Sequence, residues 1–148
     1  MSSARENDLN PDVRIGLKLP FTRGRSGLFP QSETTLEQAG SNIKNLLLTS
    51  KGERVMQPDF GSRLRELLFE HYTEDLSERI REEIEEAMST WLPYITISSV
   101  NIIQDETNPN QTKVDLDFSL NYDPNRFDSI TLNLDTTSES TTGTSSGY

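Results

Sequence analysis

The chain has 148 residues, 32% of them hydrophobic, and 24 acidic against 14 basic side chains give a net charge of -10. With no cysteine and a single histidine, His71, it has no disulfide framework and no thiolate chemistry, and little material for a histidine-built metal site or a Ser-His-Asp triad. The acidic surplus argues against nucleic acid as a partner, because phosphate neutralisation needs clustered Lys and Arg, and no run of about 18 apolar residues is present to cross a membrane.

The charge is uneven: residues 1–30 carry +2, residues 31–100 carry -6 and residues 101–148 carry -6. The small basic spot Arg23-Gly24-Arg25 does not reverse the acidic balance. Residues 1–12 are polar, expected to be mobile without a partner, and lack the apolar stretch of a signal peptide, so a cytosol-like compartment is expected. Val13, Ile15, Leu17, Leu19 and Phe21 alternate with a period of two and predict a strand, with Pro20 suiting an edge or a strand end. Thr22 to Gln31 reads as a loop.

A first helix is predicted from Ser32 or Glu33, with Leu36, Ala39, Ile43, Leu46 and Leu47 on one face. It stops near Lys51-Gly52. A second is expected after Pro58-Asp59, with Phe60, Leu64, Leu67 and Leu68 on its stripe. A third opens at Thr73, a good N-cap, with Glu74 and Asp75 favouring the helix N-terminus. Leu76, Ile80, Ile84, Ala87, Met88 and Trp91 line its apolar face, and Pro93 ends it.

The period then changes to two. Tyr94 to Ile102 reads as a strand, residues 105–111 as a turn, and Val114, Leu116, Phe118 and Leu120 as a second strand with Asp115 and Asp117 on its polar face. Asn121 to Asn125 turns again, and Ile130, Leu132 and Leu134 form a third strand. The fold class is therefore α+β: an N-terminal strand, three helices, then a C-terminal antiparallel meander. We divide the chain into an N-terminal extension (1–32), a domain (33–134) and a Ser/Thr-rich tail (135–148), the last too polar to order itself.

The segment from Leu46 to Gly61 is more closely specified than an ordinary turn. Gly52 and Gly61 supply backbone freedom and Pro58 restricts it, so the segment is either a catalytic loop or a fixed docking corner. As a glycosidase, the chain would need Glu53 as acid and Asp59 as its partner. Arg54 directly after Glu53 favours an ionised carboxylate and weakens that assignment. Arg54 either pins a partner carboxylate bidentately or pairs internally with an acid such as Glu70. The run Glu82-Glu83-Ile84-Glu85-Glu86 reads as a solvated helix face, or as an acidic surface for a basic partner.

Four motifs in order, Ile43-Lys44-Asn45-Leu46-Leu47-Leu48-Thr49, Lys51-Gly52-Glu53-Arg54, Pro58-Asp59-Phe60-Gly61 and Leu68-Phe69-Glu70, resemble the signature of the small baseplate wedge proteins of contractile phage tails. Related members occur in type VI secretion baseplates and in extracellular contractile injection systems, and the family has been labelled lysozyme-like. The resemblance spans residues 33–134. It implies a structural, non-enzymatic virion component, assembled in the host cytoplasm, present in several copies in a symmetric baseplate, and needing no cofactor or metal. The implied partners are the tail sheath protein, other wedge proteins, and tail tube or hub proteins.

The resemblance further implies that the sheet seeds the sheath by strand addition. The matching pairing candidates are Val114, Leu116, Phe118, Leu120, Ile130, Leu132 and Leu134. Candidates for docking to wedge partners are Gly52, Glu53, Arg54, Pro58, Phe60, Gly61, Phe69 and Pro93. One departure stands out. Many members have Glu-Pro-Arg at the end of the long helix, where this chain has Leu92-Pro93-Tyr94, so an apolar or aromatic contact is expected in place of a charged one. The alternatives are a peptidoglycan hydrolase and the equivalent component of a secretion or injection baseplate.

Overall fold

The computed structural model describes residues 4–10, 12–19, 29–68, 70, 74–104 and 111–135. Expectations for Phe21, Arg23, Arg25, Phe69, His71, Thr73 and the tail beyond residue 135 lie outside these residues.

Helix α2 (Thr35–Leu48) follows a short N-terminal helix, α1 (Ala4–Leu9), and a two-stranded ribbon, β1 (Gly16–Leu17) with β2 (Gln31–Ser32). Its N-cap is Thr34, whose side chain accepts the Glu37 N–H at 3.2 Å, so it starts slightly later than Ser32 or Glu33. Ala39, Ile43, Leu46 and Leu47 are buried at the spacing that puts them on one stripe.

The N-terminal strand is shorter than the alternation suggests. Among the described residues only Gly16–Leu17 pairs, with Gln31, the last residue of the predicted loop, and Ser32, a predicted helix start. Val13, Ile15 and Leu19 are half-buried and Leu17 is exposed, so the pattern has no full layer to pack on. Residues 4–9, expected to lack structure, form α1, and Asp8 ties it down. Its carboxylate accepts both the N–H and the hydroxyl of Thr35 at 2.8 Å, and the Tyr122 hydroxyl at 3.2 Å.

The second helix is α3 (Leu64–Leu68), only five residues long. Phe60 precedes it rather than opening its stripe, because Gly61 has φ of 119° and Ser62 bridges to Ser50, which keeps this stretch out of the helix. Helix α4 (Glu74–Trp91) buries Leu76, Ile80, Ile84, Ala87 and Met88 as predicted.

Strands β3 (Ile95–Gln104), β4 (Gln111–Leu120) and β5 (Asp123–Asp135) form an antiparallel sheet in the order β3-β4-β5. Ile95, Val100, Val114, Leu116, Phe118, Leu120, Ile130, Leu132 and Leu134 face the helices and join one core with α2, α3 and α4. The other face is mainly polar, apart from the exposed Ile103 and Phe127. Ser99 donates to Asp117 and Thr131 to Asp115, each at 2.6 Å, and Lys113 pairs with Asp115 at 3.3 Å. The two aspartates thus tie neighbouring strands together rather than standing only in solvent.

Candidate functional site

The corner between α2 and α3 is closed by its own backbone. Ser62 N–H donates to the Thr49 carbonyl at 2.9 Å, Gly52 N–H to the Pro58 carbonyl at 2.7 Å, and Phe60 N–H to the Gln57 carbonyl at 3.1 Å. The buried Ser62 hydroxyl donates to the Leu47 carbonyl at 2.8 Å, satisfying one of the orphan acceptors at the end of α2. Gly61 is required twice over: its φ is 119°, and a Cβ there would collide with the Thr49 carbonyl. Gly52, at φ of 87°, has open space around it, so only its backbone angle asks for glycine.

Two charged side chains of the corner bond back onto it. Glu53 accepts the Ser50 N–H at 3.0 Å, a local cap. Arg54 places its guanidinium carbon 4.0 Å from the centre of the Phe60 ring and donates to Asn45 Oδ1 at 3.2 Å. Phe60 in turn meets Trp91 edge-on, with ring centroids 5.2 Å apart. Arg54, Phe60 and Trp91 therefore form a stack between the link and the end of α4.

Glu70, the suggested internal partner of Arg54, is paired instead with Arg79, whose second guanidinium nitrogen lies 3.0 Å from it. That hydrogen bond holds the Glu70 carboxyl below the ordinary carboxylate range and raises Arg79. Within the acidic run, Glu83 is only 12% exposed. It accepts the Arg63 N–H at 2.8 Å and the Lys51 ammonium at 3.4 Å, so it fastens α4 to both sides of the corner.

The proposed carboxylate pair does not meet in a common cleft. One open cleft, between α3 and α4, is lined by residues including Arg63, Glu66, Glu70 and Arg79. A second runs along Lys51, Asp59, Arg63, Glu86 and Trp91. Asp59 borders the second with Glu86, and Glu53 borders neither.

At the end of α4 the Leu92-Pro93-Tyr94 departure is absorbed internally. Leu92 is buried, the Pro93 carbonyl accepts Asn121 Nδ2 at 2.9 Å, and the Tyr94 hydroxyl accepts Asn42 Nδ2 at 2.9 Å. An aromatic contact does stand there, made to α2.

The seven pairing candidates divide. Val114, Leu116, Phe118 and Leu120 lie on β4, the central strand, which is hydrogen-bonded to β3 and to β5. Its backbone has no free edge, so the expectation that β4 accepts a strand is corrected. Ile130, Leu132 and Leu134 lie on β5, an edge strand. The opposite edge, β3, is partly covered, since Arg81 from α4 donates to the Val100 carbonyl at 3.2 Å.

That contact also fixes the direction of each peptide. The Val100 carbonyl points away from β4, so its partner Leu116 bonds towards β5 and pairs with Ile130. Alternation then turns the N–H groups of Thr131 and Asn133 outward. Sequence patterning supplies strands but not their lateral order, and Arg81 carried no periodic signal that would have singled it out.

This helix-and-meander arrangement is shared with known proteins. The family profile described as baseplate wedge protein gp25 matches residues 35–125. Baseplate wedge protein gp25 of Enterobacteria phage T4 is 32% identical over 131 residues, covering 86% of this chain and 89% of that protein. Baseplate protein W of Escherichia phage P2 is 36% identical over 67 residues, 45% of this chain and 58% of that one.

Among solved structures, a Geobacter sulfurreducens protein put forward as a tail lysozyme superposes with a TM-score of 0.61 at 25% identity, over 70% of this chain and 93% of that one. A chain of the anti-feeding prophage baseplate, at 18% identity, shares the fold with a TM-score of 0.54, over 82% and 84% of the two chains. The profile runs from the first residue of α2 to the start of β5 and takes in the whole corner, and the chain accordingly belongs to the gp25 family of baseplate wedge proteins.

Proposed function

We propose that this chain is a non-enzymatic wedge component of a contractile-tail baseplate, or of the equivalent baseplate of an injection system. In this reading it seeds the sheath by accepting an extended sheath arm along β5 and docks to neighbouring wedge proteins through the corner. It is assembled in the host cytoplasm and resides in the tail baseplate in several symmetric copies.

The observation that carries the sheath reading is the asymmetry of the sheet edges. Arg81 occupies an outward carbonyl of β3, whereas no described strand pairs with the outer side of β5. Backbone hydrogen bonds along such an edge supply affinity, and the pleat supplies register. Pro124 near the start of β5 and the register shift between Ser119 and Leu120 confine regular pairing with β4 to the stretch from Phe127 to Asp135. Ile130, Leu132 and Leu134 anchor that stretch to the core, and the four β4 residues support it from behind.

Asn133→Pro tests this directly. It removes one outward N–H and leaves the bonds to β4 in place. The variant should fold, enter baseplates and leave tail tubes without sheath. Sheaths forming on such baseplates at the normal frequency would sink the strand-addition reading.

A second reading, peptidoglycan hydrolysis, is favoured by one observation, the fold shared with the Geobacter protein put forward as a tail lysozyme. Against it stands the capping position of Glu53, which borders neither cleft. Purified protein that clears cell-wall substrate, with activity lost in Glu53→Gln, would replace the structural reading.

A further inference from the structure

Val55 and Met56 stand at the tip of the corner, 93% and 92% exposed. Two adjacent large apolar side chains left this open usually collapse onto nearby apolar surface. Here they do not, and the reason lies next to them. The exposed face of Phe60 is occupied by the Arg54 guanidinium, 4.0 Å from the ring centre. The tip is also held away from the body by backbone bonds on both sides: Glu53 N–H to Ser50, Gln57 N–H to Arg54, and Gly52 N–H to Pro58 at the base.

A tip braced in this way loses little conformational freedom on binding, so the side chains it presents can be used at low entropic cost. Its flanks are acidic. Glu53 and Asp59 are exposed, while the nearby cations are committed elsewhere, Arg54 to Phe60 and Asn45 and Lys51 to Glu83. An apolar tip with an acidic collar disfavours an anionic lipid surface and complements a basic rim.

We infer that Val55 and Met56 form a preorganised plug for a socket on a neighbouring baseplate protein, apolar inside and rimmed by lysine or arginine. The inference rests on the baseplate reading and changes the residues that dock. Glu53, Arg54, Phe60 and Gly61 build and brace the corner, and Val55 and Met56 touch the partner. Met adapts its shape to an irregular socket and Val adds a stiff shoulder beside it.

The absence of cysteine makes the test simple, because Met56→Cys introduces a unique thiol. In free protein that thiol should react with maleimide at the rate of an exposed cysteine, and in assembled baseplates at least tenfold more slowly. A benzophenone maleimide placed on it should cross-link, within baseplates, to a peptide of another protein that contains both apolar and basic residues. Val55→Ser with Met56→Ser should fold normally, as judged by circular dichroism, and enter baseplates with roughly hundredfold lower apparent affinity, from the loss of two buried side chains.

A thiol equally reactive in baseplates, a cross-link to a second copy of this chain or to a peptide without basic residues, or wild-type incorporation of the double variant would each overturn the inference. A wild-type chain missing from baseplates altogether would instead overturn the baseplate reading, and the inference with it.

Discussion

Gly61 lies against Thr49 so closely that a Cβ on the glycine would meet the threonine carbonyl oxygen. This contact joins the end of α2 to the entry of α3, and the Ser62 N–H bond to the same carbonyl at 2.9 Å locks it. Gly61→Ala adds a backbone clash to an unfavourable φ and should cost about 3 kcal/mol. Gly52→Ala meets open space and should cost about 1 kcal/mol, the backbone angle alone. Urea unfolding of the two variants measures the difference, and equal losses would mean that close approach contributes nothing.

Phe60→Leu removes both the surface under Arg54 and the edge contact to Trp91. The expected loss is about 1 kcal/mol. Because Trp91 is the sole tryptophan, its emission reports the change directly. A spectrum identical to wild type would show that the stack is not formed in solution.

The two proline variants separate the sheet's centre from its edge. Phe118 is fully buried on the central strand, so Phe118→Pro should unfold the domain, by loss of a ladder hydrogen bond together with about 3–5 kcal/mol from the emptied aromatic site. Asn133→Pro should lower stability by roughly 1 kcal/mol, since an outward edge position tolerates proline. A similar loss in both would contradict the alternation derived from the Arg81 contact.

Asp8→Ala frees the Thr35 N–H and the Tyr122 hydroxyl together. Amide exchange across residues 4–9 should rise at least tenfold, the factor expected from about 1.4 kcal/mol of lost local hydrogen bonding. Burial, followed by the Asp8 charge and hydrogen bond, raises Tyr122 above the usual tyrosine range. A raised acid contributes stability that is complete below its unfolded pKa and lost as pH rises through the folded one. The tie should therefore be intact at neutral pH and loosen only in strong alkali, and Tyr122→Phe should abolish that alkaline step.

The Glu70–Arg79 pair gives the opposite dependence. A depressed carboxyl contributes stability present above the unfolded pKa of about 4.3 and lost as pH falls through its lower folded value. The pair is exposed, so the effect should be small and screened by salt. Arg79→Met should match wild type in stability in strong acid and differ from it above about pH 5. A difference that persists undiminished in strong acid would assign the effect to packing rather than charge.

The helices and strands were legible where apolar residues repeat against a layer that buries them. The stripe from Leu76 to Met88 and the alternation from Val114 to Leu120 are the clearest cases. The N-terminal strand is present but only two residues long, because Val13 to Leu19 alternates without a covering layer. Phe60 was misassigned because its 3.6-residue relation to Leu64 is real in sequence but interrupted by Gly61 in space. The corner was visible as an unusual string of residues, yet the inward turn of Arg54 and the exposure of Val55 and Met56 depend on which neighbour takes the Phe60 face. No linear pattern records that.

The Arg81 contact with Val100 has a consequence for growth. A sheet partly covered on one edge and open on the other has a direction, and under the sheath-seeding proposal an arm that joins it would lie along β5, away from the Arg81 contact. A polymer started in that way would acquire its polarity from the first strand laid down, before any two of its own subunits had met.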